Sequence, residues 1–84
     1  MKTEPNSPIE LILYTGPHCE LCDHAIAIYE ELDPVHVSLK KVNIRSDVHL
    51  YHLYGARIPV LKRNDNEQEL GWPFDASALE QFLL

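Results

Sequence analysis

The sequence predicts an α/β domain in which a mixed four-stranded sheet is flanked by helices, in the order β-α-β-α-β-β-α. Two observations lead to this prediction. Short aliphatic, β-prone runs alternate with stretches whose apolar residues recur every three or four positions. The chain also has 84 residues, 45% of them hydrophobic, which is enough for one small core. We expect residues 1–8, a polar stretch containing Pro5 and Pro8, to form a flexible N-terminal arm before a domain at residues 9–84.

The first half of the domain has the pattern of a β-α-β unit. Ile9–Tyr14 is a short apolar run that suits a buried strand. An apolar stripe with helical spacing follows from Cys19 to about Leu32, and Asp33-Pro34 ends that helix. A second strand is expected over Val35–Ile44. Its alternation changes phase at Lys40-Lys41, so a β-bulge is expected there.

The second half of the domain predicts a helix, a β-hairpin and a final helix. Ser46 or Asp47 can cap the first of these helices, and Gly55 lies just past its end. Asparagine and aspartate residues between the two hairpin strands are typical of a turn. The expected elements, in order, are a helix ending at Tyr54, a strand that starts with Ile58–Leu61, a short strand at Glu67–Leu70, and a helix capped by Asp75.

The charge balance bears on the kinds of partner the protein can have. Thirteen acidic and seven basic residues give a net charge of −6, whereas binding to phosphates needs clustered Lys and Arg. No apolar run approaches the ~20 residues that span a bilayer. The run Ile9–Tyr14 is too short for the apolar region of a signal peptide. We therefore expect a cytoplasmic protein with neither a nucleic-acid nor a membrane partner.

The two cysteines form a Cys-x-x-Cys pair at the predicted start of the first helix. Residues three apart share a helix face, so the sulfurs of Cys19 and Cys22 can meet. At the helix N-terminus, unpaired N–H groups and the helix dipole stabilise a thiolate at Cys19. Cys22 lies on the apolar stripe, so we expect it to be less exposed. This spacing indicates thiol–disulfide chemistry, in which Cys19 attacks and Cys22 resolves.

The charged neighbours of the pair act on the Cys19 thiolate in opposite directions. Glu20 and Asp23 oppose the thiolate, and protonated His18 or His24 favours it, so the direction of the Cys19 pKa shift stays open.

Two segments carry a family resemblance. Tyr14–Cys22 resembles the strand-turn-helix active site of glutaredoxins, within the thioredoxin superfamily, and Tyr54–Leu61 resembles their second motif. The resemblance implies a minimal thioredoxin fold, with the strands in the order two, one, three, four. It also implies a cis-proline at Pro59 that faces the dithiol and exposes the backbone of Ile58 to a peptide or to glutathione.

The sequence also departs from the glutaredoxin pattern. Glu20-Leu21 stands where the family usually has a proline and an aromatic residue, and Gly16 stands where a lysine is common. Gly71–Phe74 replaces a pair of glycines before the last helix. Asp75 still matches the position that grips one end of glutathione, and Arg57 can replace some of the lost positive charge. The chain therefore resembles a divergent branch of the family.

The function expected from the dithiol and the resemblance is that of a thiol–disulfide oxidoreductase acting on protein disulfides or glutathione mixed disulfides. Cys19 and Cys22 are the expected catalytic residues, and no bound cofactor is needed. Glutathione or a reductase would restore the dithiol, and we expect a monomer. The residues expected to contact substrate are Arg57, Ile58, Pro59 and Asp75.

Three other interpretations of the cysteines stay open. His18, Cys19, Cys22 and His24 are ligand types for zinc or copper, although one helix turn rarely builds a closed site. Two chains can also share an iron–sulfur cluster through Cys19. The third alternative is a redox-inactive adaptor in which the cysteines simply pack.

The aromatic residues are expected to serve the core. Tyr14, Tyr51 and Tyr54 are assigned to packing rather than catalysis. Trp72 and Phe74 are expected to cap the core beside the last helix. The alternative for these two residues is an apolar lip over the dithiol.

Overall fold

The computed structural model of the protein describes residues 9–84, so the arm expected at residues 1–8 lies outside the described residues. The elements follow the predicted order, with one short 3-10 helix added before the second α-helix. The strands are β1 (Ile9–Thr15), β2 (Val37–Asn43), β3 (Val60–Arg63) and β4 (Glu69–Gly71). The helices are α1 (Glu20–Leu32), the 3-10 helix (Ile44–Ser46), α2 (Val48–Tyr54) and α3 (Ala76–Phe82).

The four strands form one mixed sheet in the order β2-β1-β3-β4. β1 is parallel to β2 and antiparallel to β3, and β3 is antiparallel to β4. The predicted strand order and sheet type are confirmed. Within residues 9–84, the helices lack the length and apolar character needed to cross a membrane.

Each face of the sheet packs against its own apolar cluster. The first, here called the α1–α3 core, joins the sheet to helices α1 and α3 through the buried residues Leu11, Leu13, Ala25, Leu61, Phe74 and Leu79. The second, here called the α2 core, lies under α2 and contains the buried residues Tyr14, Ile44, Tyr54 and Val60. Because neighbouring residues of a strand point to opposite faces, β1 contributes to both clusters.

The prediction of a β-bulge at Lys40-Lys41 is wrong. The pairing of β1 with β2 runs unbroken from Ile9 opposite Val37 to Thr15 opposite Asn43. The change of phase has another cause: Val37 and Leu39 pack on the α1–α3 core, whereas Val42 packs on the α2 core. A strand that is covered on both faces shows this pattern without an extra residue.

The expected start of the second strand, at Val35, is also wrong. Val35 lies before β2 and is 76% exposed, and His36 has a positive φ of 61°, so extended pairing begins only at Val37. The hairpin strand β4 likewise begins at Glu69, two residues later than expected, and ends at Gly71.

The predicted helix caps are present. The Asp47 carboxylate accepts a hydrogen bond from the His49 N–H at 2.8 Å, and Asp75 accepts one from Ala78 at the same distance. Gly55 follows α2 as predicted, but its φ of −53° is helical, so it is not a left-handed cap. A Cβ at Gly55 would lie 2.6 Å from the Tyr51 carbonyl oxygen, so lack of space favours glycine here.

Most of the aromatic assignments are confirmed. Tyr14 and Tyr54 are buried and stack with their ring centroids 4.1 Å apart. Phe74 lies in the α1–α3 core, and Trp72 packs edge-on against it at 5.1 Å, which is the expected cap. The assignment of Tyr51 to packing is wrong, since the residue is 54% exposed and does not belong to the α2 core.

A buried arginine joins the hairpin to the last helix. Arg63 is 5% exposed and binds both Asp65 carboxylate oxygens, with Nε–Oδ1 and Nη2–Oδ2 distances of 2.8 Å and 2.6 Å. Its Nη1 donates to the carbonyl oxygens of Phe82 and Leu84. The guanidinium thus satisfies carbonyl groups at the end of α3 that the helix itself leaves unpaired.

Candidate active site at the start of α1

The turn between β1 and α1 brings the two cysteines together. His18 has a φ of 55°, and this left-handed residue lets the chain turn from the sheet into the helix. Cys19 follows in an extended conformation as the N-cap of α1, and its Sγ accepts a hydrogen bond from the Cys22 N–H at 3.1 Å. A cysteine sulfur therefore occupies the position in which serine or aspartate usually caps a helix.

Cys19 and Cys22 are joined in a disulfide, with their Cα atoms 5.2 Å apart. Cys22 is 2% exposed and faces the protein interior, whereas Cys19 is only half-buried. The pair therefore combines a partly exposed cysteine with one that is shielded from solvent. This is the asymmetry expected of an attacking and a resolving cysteine.

An open concavity of about 450 Å³ adjoins Cys19. Its lining is polar and comes from the end of β1, the turn and the first helical turn: Thr15, Gly16, His18, Cys19, Glu20 and Asp23. Two carboxylates thus share this surface with the accessible cysteine.

The loop before β3 lies beside the same turn. The Ile58–Pro59 peptide bond is cis, as the resemblance implied, and Pro59 is fully buried. A Cβ placed on Gly16 would lie 3.1 Å from the Ile58 Cδ1, so these two loops are in close contact. The Ile58 N–H donates to the Tyr54 carbonyl at 3.1 Å, which leaves the Ile58 carbonyl, not its amide, for the expected pairing with a substrate.

Arg57 is bound to other parts of the protein. Its Nη2 lies 2.9 Å from the Glu69 Oε1 in an ion pair, and its guanidinium stacks over the Tyr54 ring at 5.2 Å. The other Glu69 oxygen accepts a hydrogen bond from the Tyr54 hydroxyl at 2.6 Å. Sequence reasoning missed this network, because Glu69 lies on β4 and meets Arg57 only in the folded chain.

The contacts within this network shift the pKa values of two of its members, Tyr54 and Glu69. Burial, and after it the hydrogen bond to Glu69, raises the pKa of Tyr54 well above its ordinary value. The hydrogen bond from Tyr54, supported by the Arg57 guanidinium, lowers the pKa of Glu69 despite the opposing effect of burial. Glu69 is therefore held as a carboxylate between a phenol and a guanidinium.

Asp75 lies apart from the concavity at Cys19. It caps α3 and lines a separate shallow concavity with Pro73, Phe74 and Ala78. The Trp72–Pro73 bond before it is also cis, a feature that the sequence does not predict.

The possible metal ligands do not form a cluster of three. Across residues 9–84, no group of three or more His, Cys, Asp and Glu residues is arranged to hold a metal ion. The ring of His24 instead lies 6.4 Å from that of Trp72.

Comparison with known proteins gives close matches in sequence and fold. The model of the Glutaredoxin-like domain (DUF836) matches residues 10–84. The X-ray structure of Northeast Structural Genomics target protein XcR50 from X. campestris is 37% identical and has a TM-score of 0.78. The match covers 87% of this chain and 93% of that one. Protein Ne2328 from Nitrosomonas europaea is 28% identical, with 98% of both chains covered and a TM-score of 0.78. No curated protein matches the sequence.

More distant structures share the fold. A mutant thioredoxin from Halobacterium salinarum NRC-1 is 22% identical, with a TM-score of 0.69 over 92% of this chain and 73% of that one. The minimal thioredoxin fold expected from the resemblance is thereby confirmed.

Proposed function

The chain belongs to the glutaredoxin-like domain family, and from this premise we propose that it is a thiol–disulfide oxidoreductase that reduces protein disulfides or glutathione mixed disulfides. The observation that carries the proposal is the disulfide between a half-buried Cys19 at the N-cap of α1 and a buried Cys22. An N-cap position favours a thiolate, which is the species that attacks disulfides.

The first step is attack on the substrate. In the reduced protein, the Cys19 thiolate attacks one sulfur of a substrate disulfide, forming a mixed disulfide as the substrate S–S bond breaks. The second substrate sulfur leaves as a thiolate and takes up a proton. The Cys22 N–H, which contacts the Cys19 Sγ at 3.1 Å, is placed to stabilise negative charge on that sulfur.

The second step releases the product. Cys22, as a thiolate, attacks the Cys19 Sγ, and the remaining substrate sulfur departs and is protonated. Two electrons and two protons have then passed to the substrate, and the cysteines are left in the disulfide form. Two molecules of a low-molecular-weight thiol such as glutathione, which are oxidised to one disulfide, or a disulfide reductase, return two electrons and two protons. No bound cofactor takes part.

The surrounding residues serve the substrate in different ways. Ile58 and Pro59 shape the substrate groove beside the Gly16 turn: the cis bond to the buried Pro59 sets the path of the loop, and the Ile58 carbonyl can accept a hydrogen bond from a substrate backbone. Arg57, bound to Glu69, positions this loop. We assign to Asp75 a contact with the end of the substrate that lies farther from Cys19.

The cytoplasm suits this activity because it keeps thiols reduced and supplies the reductants that the cycle needs. We propose that the protein acts there as a monomer.

The test is intact-mass analysis after equilibration in buffers of graded reduced and oxidised glutathione, with free thiols trapped by alkylation. We expect a cooperative change from two alkylated thiols to none, with the mass of an internal disulfide. A Cys22→Ser variant should instead retain one glutathione on Cys19, whereas Cys19→Ser should not accumulate a comparable adduct. Two thiols that stay free across the series would contradict the proposal, and metal analysis of anaerobic protein would then test the cluster-binding alternative.

A further inference from the structure

We propose that Cys19 reacts preferentially with disulfides flanked by positive charge, such as a protein cysteine next to lysine or arginine, and slowly with anionic disulfides. This inference rests on the proposed function and names its substrate class. It follows from the charges that surround the accessible sulfur.

The surface beside Cys19 is negatively charged. Glu20 and Asp23 line the same concavity as Cys19, and both residues are exposed. Within the described part of the chain, the ion pairs formed are Arg57–Glu69 and Arg63–Asp65, so neither acid beside Cys19 is neutralised by such a pair. Each carboxylate is therefore free to act on an incoming substrate.

The concavity has no lysine or arginine in its lining. Gly16 contributes no charge, and the guanidinium of Arg57, the sequence candidate for this role, is paired with Glu69. His18 is the remaining titratable group of the lining apart from the cysteine and the two acids. The two carboxylates therefore supply the acidic charge of this lining, and no lysine or arginine in it opposes them.

This field acts on the approach and on the reaction. An anionic substrate brings further negative charge toward two carboxylates and a thiolate, whereas a cationic flank is attracted by all three. Exposed charges interact weakly in water, so we expect an effect of about threefold to tenfold in rate at low salt rather than absolute selection.

Three small disulfides of similar size test the effect of substrate charge, because they undergo the same reaction and differ in their charge. Cystamine is cationic, bis(2-hydroxyethyl) disulfide is neutral and 3,3′-dithiodipropionate is anionic. Pre-reduced protein is mixed with each at pH 8 and low salt, quenched by alkylation and weighed as intact protein. In each reaction Cys19 and Cys22 are oxidised to their disulfide and the probe is reduced to two thiols.

The decisive comparison is between the protein and a Glu20→Gln/Asp23→Asn double variant. Removing the acids changes the Cys19 thiol itself, and that effect is common to all three probes. The charge effect is seen as a difference between the probes. With each rate taken relative to that of the neutral disulfide, the double substitution should lower the rate with cystamine about threefold or more and raise the rate with dithiodipropionate by a similar factor. High salt should reduce the same divergence in the unmodified protein.

A Glu30→Gln/Glu31→Gln variant is the matched control. It removes the same charge from exposed positions at the other end of α1, outside the lining of the concavity, and should leave the three relative rates unchanged.

The outcomes separate the two proposals. Reduction of all three probes with relative rates that the Glu20/Asp23 double substitution does not alter would overturn the charge preference and leave the oxidoreductase standing. The same divergence in the Glu30/Glu31 control would attribute it to net charge and would also overturn the preference. Failure to reduce even the neutral disulfide would overturn both.

Discussion

Gly16 leaves the surface next to Cys19 without a side chain, and so without a charge, at this position. The residue lines the concavity of the accessible sulfur, and a Cβ there would lie 3.1 Å from the Ile58 Cδ1. That atom is the end of a flexible side chain, so a shift of a few tenths of an ångström can accommodate a larger residue. The site can therefore accept a positive charge without rebuilding the turn.

A Gly16→Lys substitution tests this at the level of one residue. The added ammonium should raise the rate with dithiodipropionate by about threefold, relative to the neutral disulfide, and lower the relative rate with cystamine. Gly16→Gln is the control, since it adds a side chain of comparable length without charge. Equal effects of the Lys and Gln substitutions on these rates, measured by the same alkylation quench and intact-mass analysis, would show that steric change dominates.

Among the elements, the contact between the hairpin and α3 depends on Arg63. One guanidinium binds the Asp65 carboxylate and two carbonyl groups at the end of the helix. Lysine cannot reproduce this planar set of donors. The end of α3 is therefore held to β3 by a geometry that only arginine provides.

We expect Arg63→Lys to lower the free energy of unfolding by about 2 kcal/mol, because carbonyl groups at the helix end lose their donors. Urea denaturation followed by circular dichroism measures the change. Arg45→Lys, at an exposed position of the 3-10 helix, should cost far less. Similar losses for the two variants would mean that the Arg63 contacts do not stabilise the fold.

Features set by local sequence were predictable, and those set by distant contacts were not. The caps Asp47 and Asp75 need only neighbouring N–H groups, so sequence alone identifies them. The unbroken register of β2 depends on which helix covers each face of the sheet. At the site, the cysteine pair is local, whereas the pairing of Arg57 with Glu69 requires strand β4 to lie beside the loop.

Across residues 9–84, both apolar clusters share one sheet, and two ion pairs lie at its edges. The Arg57–Glu69 pair connects the loop after α2 to β4, and the Arg63–Asp65 pair lies at the hairpin turn beside α3. The hydrogen bond from Arg63 lowers the pKa of Asp65, as Tyr54 and Arg57 lower that of Glu69.

These lowered carboxyl pKa values predict acid sensitivity of the whole fold. A carboxyl whose pKa is lower in the folded protein stabilises it above the unfolded value of ~4, and this contribution is lost as the pH falls through the folded pKa. Glu69→Gln should therefore cost about 1 kcal/mol at pH 7, and the gap to the unmodified protein should narrow toward pH 3.

Urea denaturation at pH 7, 5 and 3 measures that gap. Glu80→Gln, at an exposed position of α3, should run parallel to the unmodified protein throughout. A Glu69→Gln gap of constant size from pH 7 to pH 3 would mean that the stabilisation does not come from the charge of this carboxylate.

The packing of Trp72 gives the molecule an internal optical probe. It is the one tryptophan of the chain, and its indole lies against Phe74 on one side and 6.4 Å from His24 of α1 on another. The helix that carries His24 begins at the Cys19–Cys22 disulfide. Ultraviolet emission of the unlabelled protein therefore monitors the junction between this helix and the loop before α3, and can follow it in real time as a chemical reductant opens the disulfide.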